Sequence, residues 1–154
     1  MLVIGIVGIG LNRPHQTRLT PNEQYSHISL WSLLSAPLLL GCDLEKLDAF
    51  TLNLITNDEV IDIDQDPLGK SAITVFSKDS LVVMAKPLED GGWAVGLFNR
   101  NKDKANVTAK WKDLGISGKW KVRDVWRQKD LGVYSEMFDA EVASHGVVLV
   151  KMSK

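Results

Sequence analysis

Asp62, Asp64 and Asp66, at alternate positions, are the residues of this chain best typed for chemistry. Paired carboxylates can work as general acid and general base. Alternate acidic residues also open calcium loops, but here the pattern fails. Pro67 stands where that loop needs glycine, and Ile73 where it closes with glutamate. The alternation itself favours a plainer reading: a strand over 60–64 with Ile61 and Ile63 on one face and the aspartates on the other. Gly5, Gly8 and Gly10 follow an apolar run in the spacing G-x-x-G-x-G, the reverse of the dinucleotide fingerprint, with no helix opening behind them. They read better as a glycine-rich loop at the end of a barrel strand.

His15, His27 and His145 have no metal-ligand spacing with each other or with Cys42. His27 falls in the middle of a helical stretch and reads as a hydrogen-bonded structural histidine. Cys42 is the single cysteine, which excludes a disulfide within the chain; with no base nearby in sequence it reads as a buried thiol. No G-x-S-x-G nucleophile elbow is present. Trp93, Trp111, Trp120 and Trp126 could stack on sugar faces, but such rings more often fill a core or the seam with a neighbouring layer.

The chain has 154 residues, enough for one ordinary domain or part of one with a second small one. A net charge of −1 gives no reason to expect a nucleic acid or an anionic membrane as partner. The charge is uneven. Residues 1–70 carry four basic and nine acidic residues, a net of −5, and residues 71–154 carry fourteen and ten, a net of +4. This split fits a change of domain near Lys70. Met1–Val7 is apolar but lacks the basic start of a signal peptide and is followed by glycines. No run of about 18 apolar residues exists to span a membrane.

Several elements are legible. Leu2–Gly5 reads as a buried strand or the exit from one, and 8–19 as a loop. Thr20-Pro21-Asn22-Glu23 starts a helix: Thr20 caps, Pro21 suits the first turn and Glu23 closes a capping box. The helix is expected to reach about Ser35, with Ser29, Ser32 and Ser35 as small sites for close approach, and Pro37 ends it. Pro37–Gly41 is an apolar strand of the kind buried on both faces of a sheet. Leu44, Leu47, Phe50 and Leu54 recur at helical spacing, so a second helix is expected near 48–56. With 60–64 as a strand, the order implies βαβ units. After Lys70 come short strand-like runs at 72–77, 81–87, 93–99, 107–111, 120–126, 137–142 and 147–152. Turn residues separate them, which indicates an antiparallel sandwich.

Leu30-Trp31, Ala36-Pro37-Leu38-Leu39, Asp43-Leu44, Thr56-Asn57-Asp58-Glu59-Val60-Ile61 and Gln65-Asp66-Pro67-Leu68-Gly69 resemble the retaining α-galactosidases, a family that includes α-N-acetylgalactosaminidases. Met1-Leu2 is similar to the end of the family's Trp-Asn-Asp-Pro-Asp-Met-Leu motif. The resemblance covers the whole chain, most specifically over 1–5 and 20–70. It departs at Asp62 and Asp64, where the family usually has alanine and asparagine.

The resemblance implies α/β plus all-β architecture: the C-terminal portion of a (β/α)8 barrel over 1–70, then an antiparallel β-sandwich domain over 71–154. On this mapping 37–41 is the seventh barrel strand and 60–64 the eighth. It implies hydrolysis of terminal α-linked galactosides with retention, by two aspartates in a double displacement. Neither has a place in this sequence, so the chain alone is expected to be an inactive C-terminal fragment. No catalytic residue is assigned, and the resemblance implies no cofactor and no metal. Leu40, at the end of the seventh strand, corresponds to an apolar wall of the sugar pocket. Without the other barrel strands, residues 1–70 would expose on the order of 1,000 Å², worth roughly 25 kcal/mol of burial. Whole domains have only about 5–15 kcal/mol of net stability. The barrel part is therefore expected to stay loose, to self-associate or to pair with a separate N-terminal half, while 71–154 folds alone. The alternative is a module that binds carbohydrate through Trp93 or Trp126, or that only completes a barrel.

Overall fold

The computed structural model describes residues 1–8 and 13–154, so Gly10 of the glycine-rich run lies outside the described residues. The chain begins with a short antiparallel pair, β1 (Ile6–Val7) and β2 (His15–Gln16), the second of them inside the stretch 8–19 read as loop. Helix α1 (Pro21–Leu33) starts on the expected capping box. The Thr20 side chain accepts from the Glu23 amide, and the Thr20 amide donates back to the Glu23 carboxylate at 2.8 Å. Its buried face includes Ile28, Ser29, Ser32 and Leu33, so the small residues mark close approach as expected.

Pro37–Gly41 is extended but makes only one parallel bridge, Leu2 with Leu40. The Leu2 amide donates to the Leu39 carbonyl at 2.7 Å. Among the described residues no strand lies on its other side, so the expected ladder is reduced to a single rung. A 3₁₀ turn over Leu44–Lys46 leads into α2 (Ala49–Ile55), close to the expected second helix.

The strand expected over 60–64 is instead helix α3 (Asp58–Asp64). Asn57 is its N-cap and accepts from the Val60 amide at 3.2 Å, and Asp58 and Glu59 occupy the first turn, where the helix dipole favours acids. The face it buries carries Val60 and Ile63, three residues apart. The alternation of Ile61 and Ile63 with aspartates therefore has no structural counterpart, and one βαβ crossover is present where two were expected.

From Ile73 onward the chain forms an antiparallel six-stranded sheet in the order β3-β4-β5-β10-β7-β8. These strands are β3 (Ile73–Lys78), β4 (Leu81–Pro87), β5 (Trp93–Asn99), β7 (Lys119–Asp124), β8 (Lys129–Ser135) and β10 (Val147–Ser153). A two-stranded sheet of β6 (Ala105–Lys110) and β9 (Met137–Val142), with the short helix α4 (Trp111–Leu114), covers one face. The core between the layers holds Val83, Val95, Leu97, Val107, Trp111, Trp120, Phe138 and Val150. This is the sandwich expected from the sequence. Edge strand β8 was not anticipated: it holds Gly132, at φ 119°, beside a register shift against β7, and most of its residues are exposed.

The second face of the large sheet is also covered. Ala94, Phe98 and Leu149 form a second core with Leu2, Ile4, Ile28, Leu33, Leu54, Val60 and Ile63. Gly96 makes the approach of α1 possible, since a Cβ there would sit 2.6 Å from both Leu33 and the Phe98 ring. The helical segment thus packs on the sheet, and the face that 71–154 would expose alone is apolar. Residues 70–72 fasten this arrangement. The Ala72 amide donates to the Leu33 carbonyl, and the Ser71 hydroxyl to the Leu34 carbonyl, both at 2.7 Å.

Candidate functional site

The parallel bridge is the part of the fold where a barrel pocket wall could be built. Val3, beside the bridge, is held from two directions. Its amide donates to His27 Nε2 at 3.3 Å, and its carbonyl accepts from the Thr17 hydroxyl at 2.5 Å. The chain approaches closely at Gly41, where a Cβ would lie 2.9 Å from the Met1 side chain and 3.1 Å from the Leu2 carbonyl. Leu40 ends the extended run half exposed, at 38%, and lines a small apolar cavity of about 120 Å³ with Leu2, Ile28, Leu38 and Leu54. Met1, Val3, Leu39 and Leu44 are exposed.

His27 is structural, as the sequence suggested. Its ring packs edge-on against Trp31, at 4.4 Å between centroids. Burial, and then the Met1 ammonium, push its pKa below the ordinary value. Because the folded-state pKa is depressed, the neutral ring's contribution is present above about pH 6.5 and is lost as pH falls through the folded value. Thermal melts from about pH 7.5 down to pH 5 are expected to show a steeper loss in the native chain than in His27→Gln, which keeps an acceptor without titrating. Identical pH profiles would remove His27 from this role.

The three aspartates are not brought together. Asp62 is exposed on α3. Asp66 accepts from the Leu68 amide at 3.1 Å and the Glu89 amide at 3.0 Å. Asp64 turns toward buried Lys86; burial raises its pKa and the lysine charge opposes the rise. A cavity of about 500 Å³ opens nearby, lined in part by Glu59, Asp66, Asp90, Arg123 and Lys151. Its charges are largely paired: Arg123 grips Glu59 at 2.9 and 2.6 Å, and Lys151 meets Asp90 at 2.6 Å. Asp62 and Glu89 lie exposed on its rim. Among the described residues no group of His, Cys, Asp and Glu could hold a metal. No helix there is long and apolar enough to cross a membrane. Cys42 is half-buried, and burial pushes its thiol pKa up.

Trp111 and Trp120 are core residues of the sandwich, and Trp93 packs against that core. Trp126 sits at the seam, where its Nε1 donates to Ser29 Oγ at 2.8 Å and its ring meets Tyr25 edge-on. The buried cation of the seam, Lys86, was missed. Its only sequence signal is a lysine inside the otherwise apolar run 81–88.

A barrel-type parallel crossover, helices shared with an adjoining sheet, and a β-sandwich behind it define the C-terminal portion of a glycoside hydrolase. Residues 1–66 match the family described as alpha galactosidase A, and residues 78–152 match the alpha galactosidase C-terminal beta sandwich domain. The chain belongs to the α-galactosidase family. An α-galactosidase of Cyamopsis tetragonoloba is 43% identical over 129 residues, which are 82% of this chain and 31% of the relative. A β-L-arabinopyranosidase of Geobacillus stearothermophilus superposes on all of this chain and 36% of its own, with a TM-score of 0.93 and 34% identity. An α-galactosidase of Mortierella vinacea covers 88% of this chain and 36% of its own, with a TM-score of 0.86 and 30% identity. The chain therefore spans about a third of the length of these relatives.

Proposed function

We propose that this chain supplies the C-terminal wall of the sugar pocket and the β-sandwich of a retaining glycosidase for terminal α-galactosides. The observation that carries this is the consecutive match of 1–66 and 78–152 to the two parts of the α-galactosidase family. β-L-Arabinopyranose has the ring configuration of α-D-galactopyranose without its CH₂OH group. The Geobacillus relative's name therefore supports a pocket for galacto-configured pyranosides in general. In this reading 1–70 belongs to the barrel and 71–154 to the sandwich, and Leu40 is the apolar wall beside the sugar.

The chemistry needs two carboxyl groups about 5–5.5 Å apart, one as nucleophile and one as acid then base. Both come from residues outside these 154. The exposed apolar edge around Leu39, Leu40 and Leu44 is where strands carrying them would dock, from a longer chain or a separate half. The purified 154-residue chain is expected to show no turnover of 4-nitrophenyl α-D-galactopyranoside. Turnover that tracks the protein through purification would overturn the reading and direct attention to Asp62 and Glu89.

A further inference from the structure

We propose that a cleft at the seam, between the start of α1 and the turn after β7, is a second, non-catalytic site for one neutral hexopyranose unit. The cleft encloses about 200 Å³ and is lined by Asn22, Tyr25, Trp126, Arg127, Glu141 and the backbone around Gly146. It draws on both matched parts of the chain and lies apart from Leu40, which lines a different cavity.

Three observations define the ligand. The first is the aromatic wall. Tyr25 and Trp126 meet edge-on at 4.8 Å, and Tyr25 also meets Phe50 edge-on at 5.6 Å. Such rings offer apolar faces to the C–H side of a pyranose while keeping polar edges.

The second is preorganisation. Trp126 is pinned by its bond to Ser29. Asn22 Nδ2 donates to the Ser144 carbonyl at 3.1 Å, which leaves its amide oxygen as an acceptor. Arg127 Nη1 donates to Asp124 at 2.8 Å, which leaves Nε and Nη2 as donors. The Tyr25 hydroxyl makes no hydrogen bond among the described residues, so it can both donate and accept. Side chains already fixed lose little freedom on binding.

The third is charge. Each ion of the cleft has its own counter-ion: Arg127 with Asp124, and Glu141 with Lys104 at 3.0 Å. A site of this balance selects against an anion and fits a neutral polyol with alternating donors and acceptors.

The site is independent of the catalytic reading, since binding is measured on a chain expected to turn nothing over. The test is an NMR titration of the 154-residue chain with methyl α-D-galactopyranoside up to about 20 mM, a range suited to millimolar affinity. Saturable shifts are expected at the Trp126 indole, Tyr25 and Arg127. Arg127→Met and Tyr25→Phe should each weaken binding about two- to tenfold while the rest of the spectrum stays native. Galacturonate should bind no more tightly than the neutral glycoside. No saturable shift, shifts confined to other surfaces, unchanged affinity in both variants, or preference for galacturonate would each overturn the proposal. Hydrolysis seen in the titration would contradict the catalytic reading and leave this one standing.

Discussion

Lys86→Met is expected to lower the stability of the chain by about 2–3 kcal/mol, the usual cost of removing a buried charged donor from its hydrogen-bond partners. Lys86 is fully buried on β4, with no exposed side-chain surface. Its ammonium donates to the Ser32 carbonyl at 3.2 Å and the Ser35 hydroxyl at 2.8 Å, at the C-terminal end of α1 where the helix dipole favours a cation. Asp64 and Asp66 raise its pKa against the larger, lowering effect of burial. One Asp64 carboxylate oxygen is buried with no hydrogen-bond partner, so the lysine charge is part of what keeps that carboxylate tolerable. Methionine fills similar space but removes both hydrogen bonds and the charge. At about 2–4 °C per kcal/mol for a chain of this size, the melting temperature should fall by roughly 4–12 °C. Asp64→Asn in the Lys86→Met background should recover part of the loss, because the two groups are coupled. Additive losses would show that Lys86 acts only through α1.

This cluster also shows where sequence reasoning reached its limit. Thr20, Pro21 and Glu23 specify the start of α1 by local chemistry, and the structure starts it there. The strands of the sandwich are legible for a similar reason: the turns at Asp79-Ser80, Gly91, Gly118 and His145 need positive φ and are marked by residues suited to it. β5 and β10 read as nearly continuous apolar runs because both faces of the sheet are covered. That second cover was not legible, since α1–α3 reach the sheet through contacts distant in sequence. It bears on the expectation that 71–154 would fold alone, as that piece would present Ala94, Phe98 and Leu149 to water.

The misreading of 60–64 has a local cause. Val60-Ile61-Asp62-Ile63-Asp64 satisfies a two-residue period and, through Val60 and Ile63, also a helical one. Seven residues are too few for periodicity to decide, and the Asn57 cap with two following acids decides it. The Pro37–Gly41 run shows the opposite limit. Its composition is that of a buried strand, yet it has one bridge, because a ladder depends on neighbours that composition does not supply. Leu40 borders a small cavity in the fold, its role beside a sugar is a proposal that rests on the family, and nothing local to it announces a sugar.

The central claim is that these residues complete a pocket whose catalytic carboxylates lie elsewhere. It is tested most directly by joining the 154 residues to the N-terminal two-thirds of the Cyamopsis tetragonoloba α-galactosidase, in the register of their 43% identity. The first-formed sugar anomer would be followed by NMR with an aryl α-galactoside. The folded chimera should release the α-anomer first, as a double displacement requires. Leu40→Asp within it should raise KM or abolish turnover without unfolding it, because a charge would face an apolar wall. A folded chimera that turns over no α-galactoside, or one that releases the β-anomer first, would contradict the account.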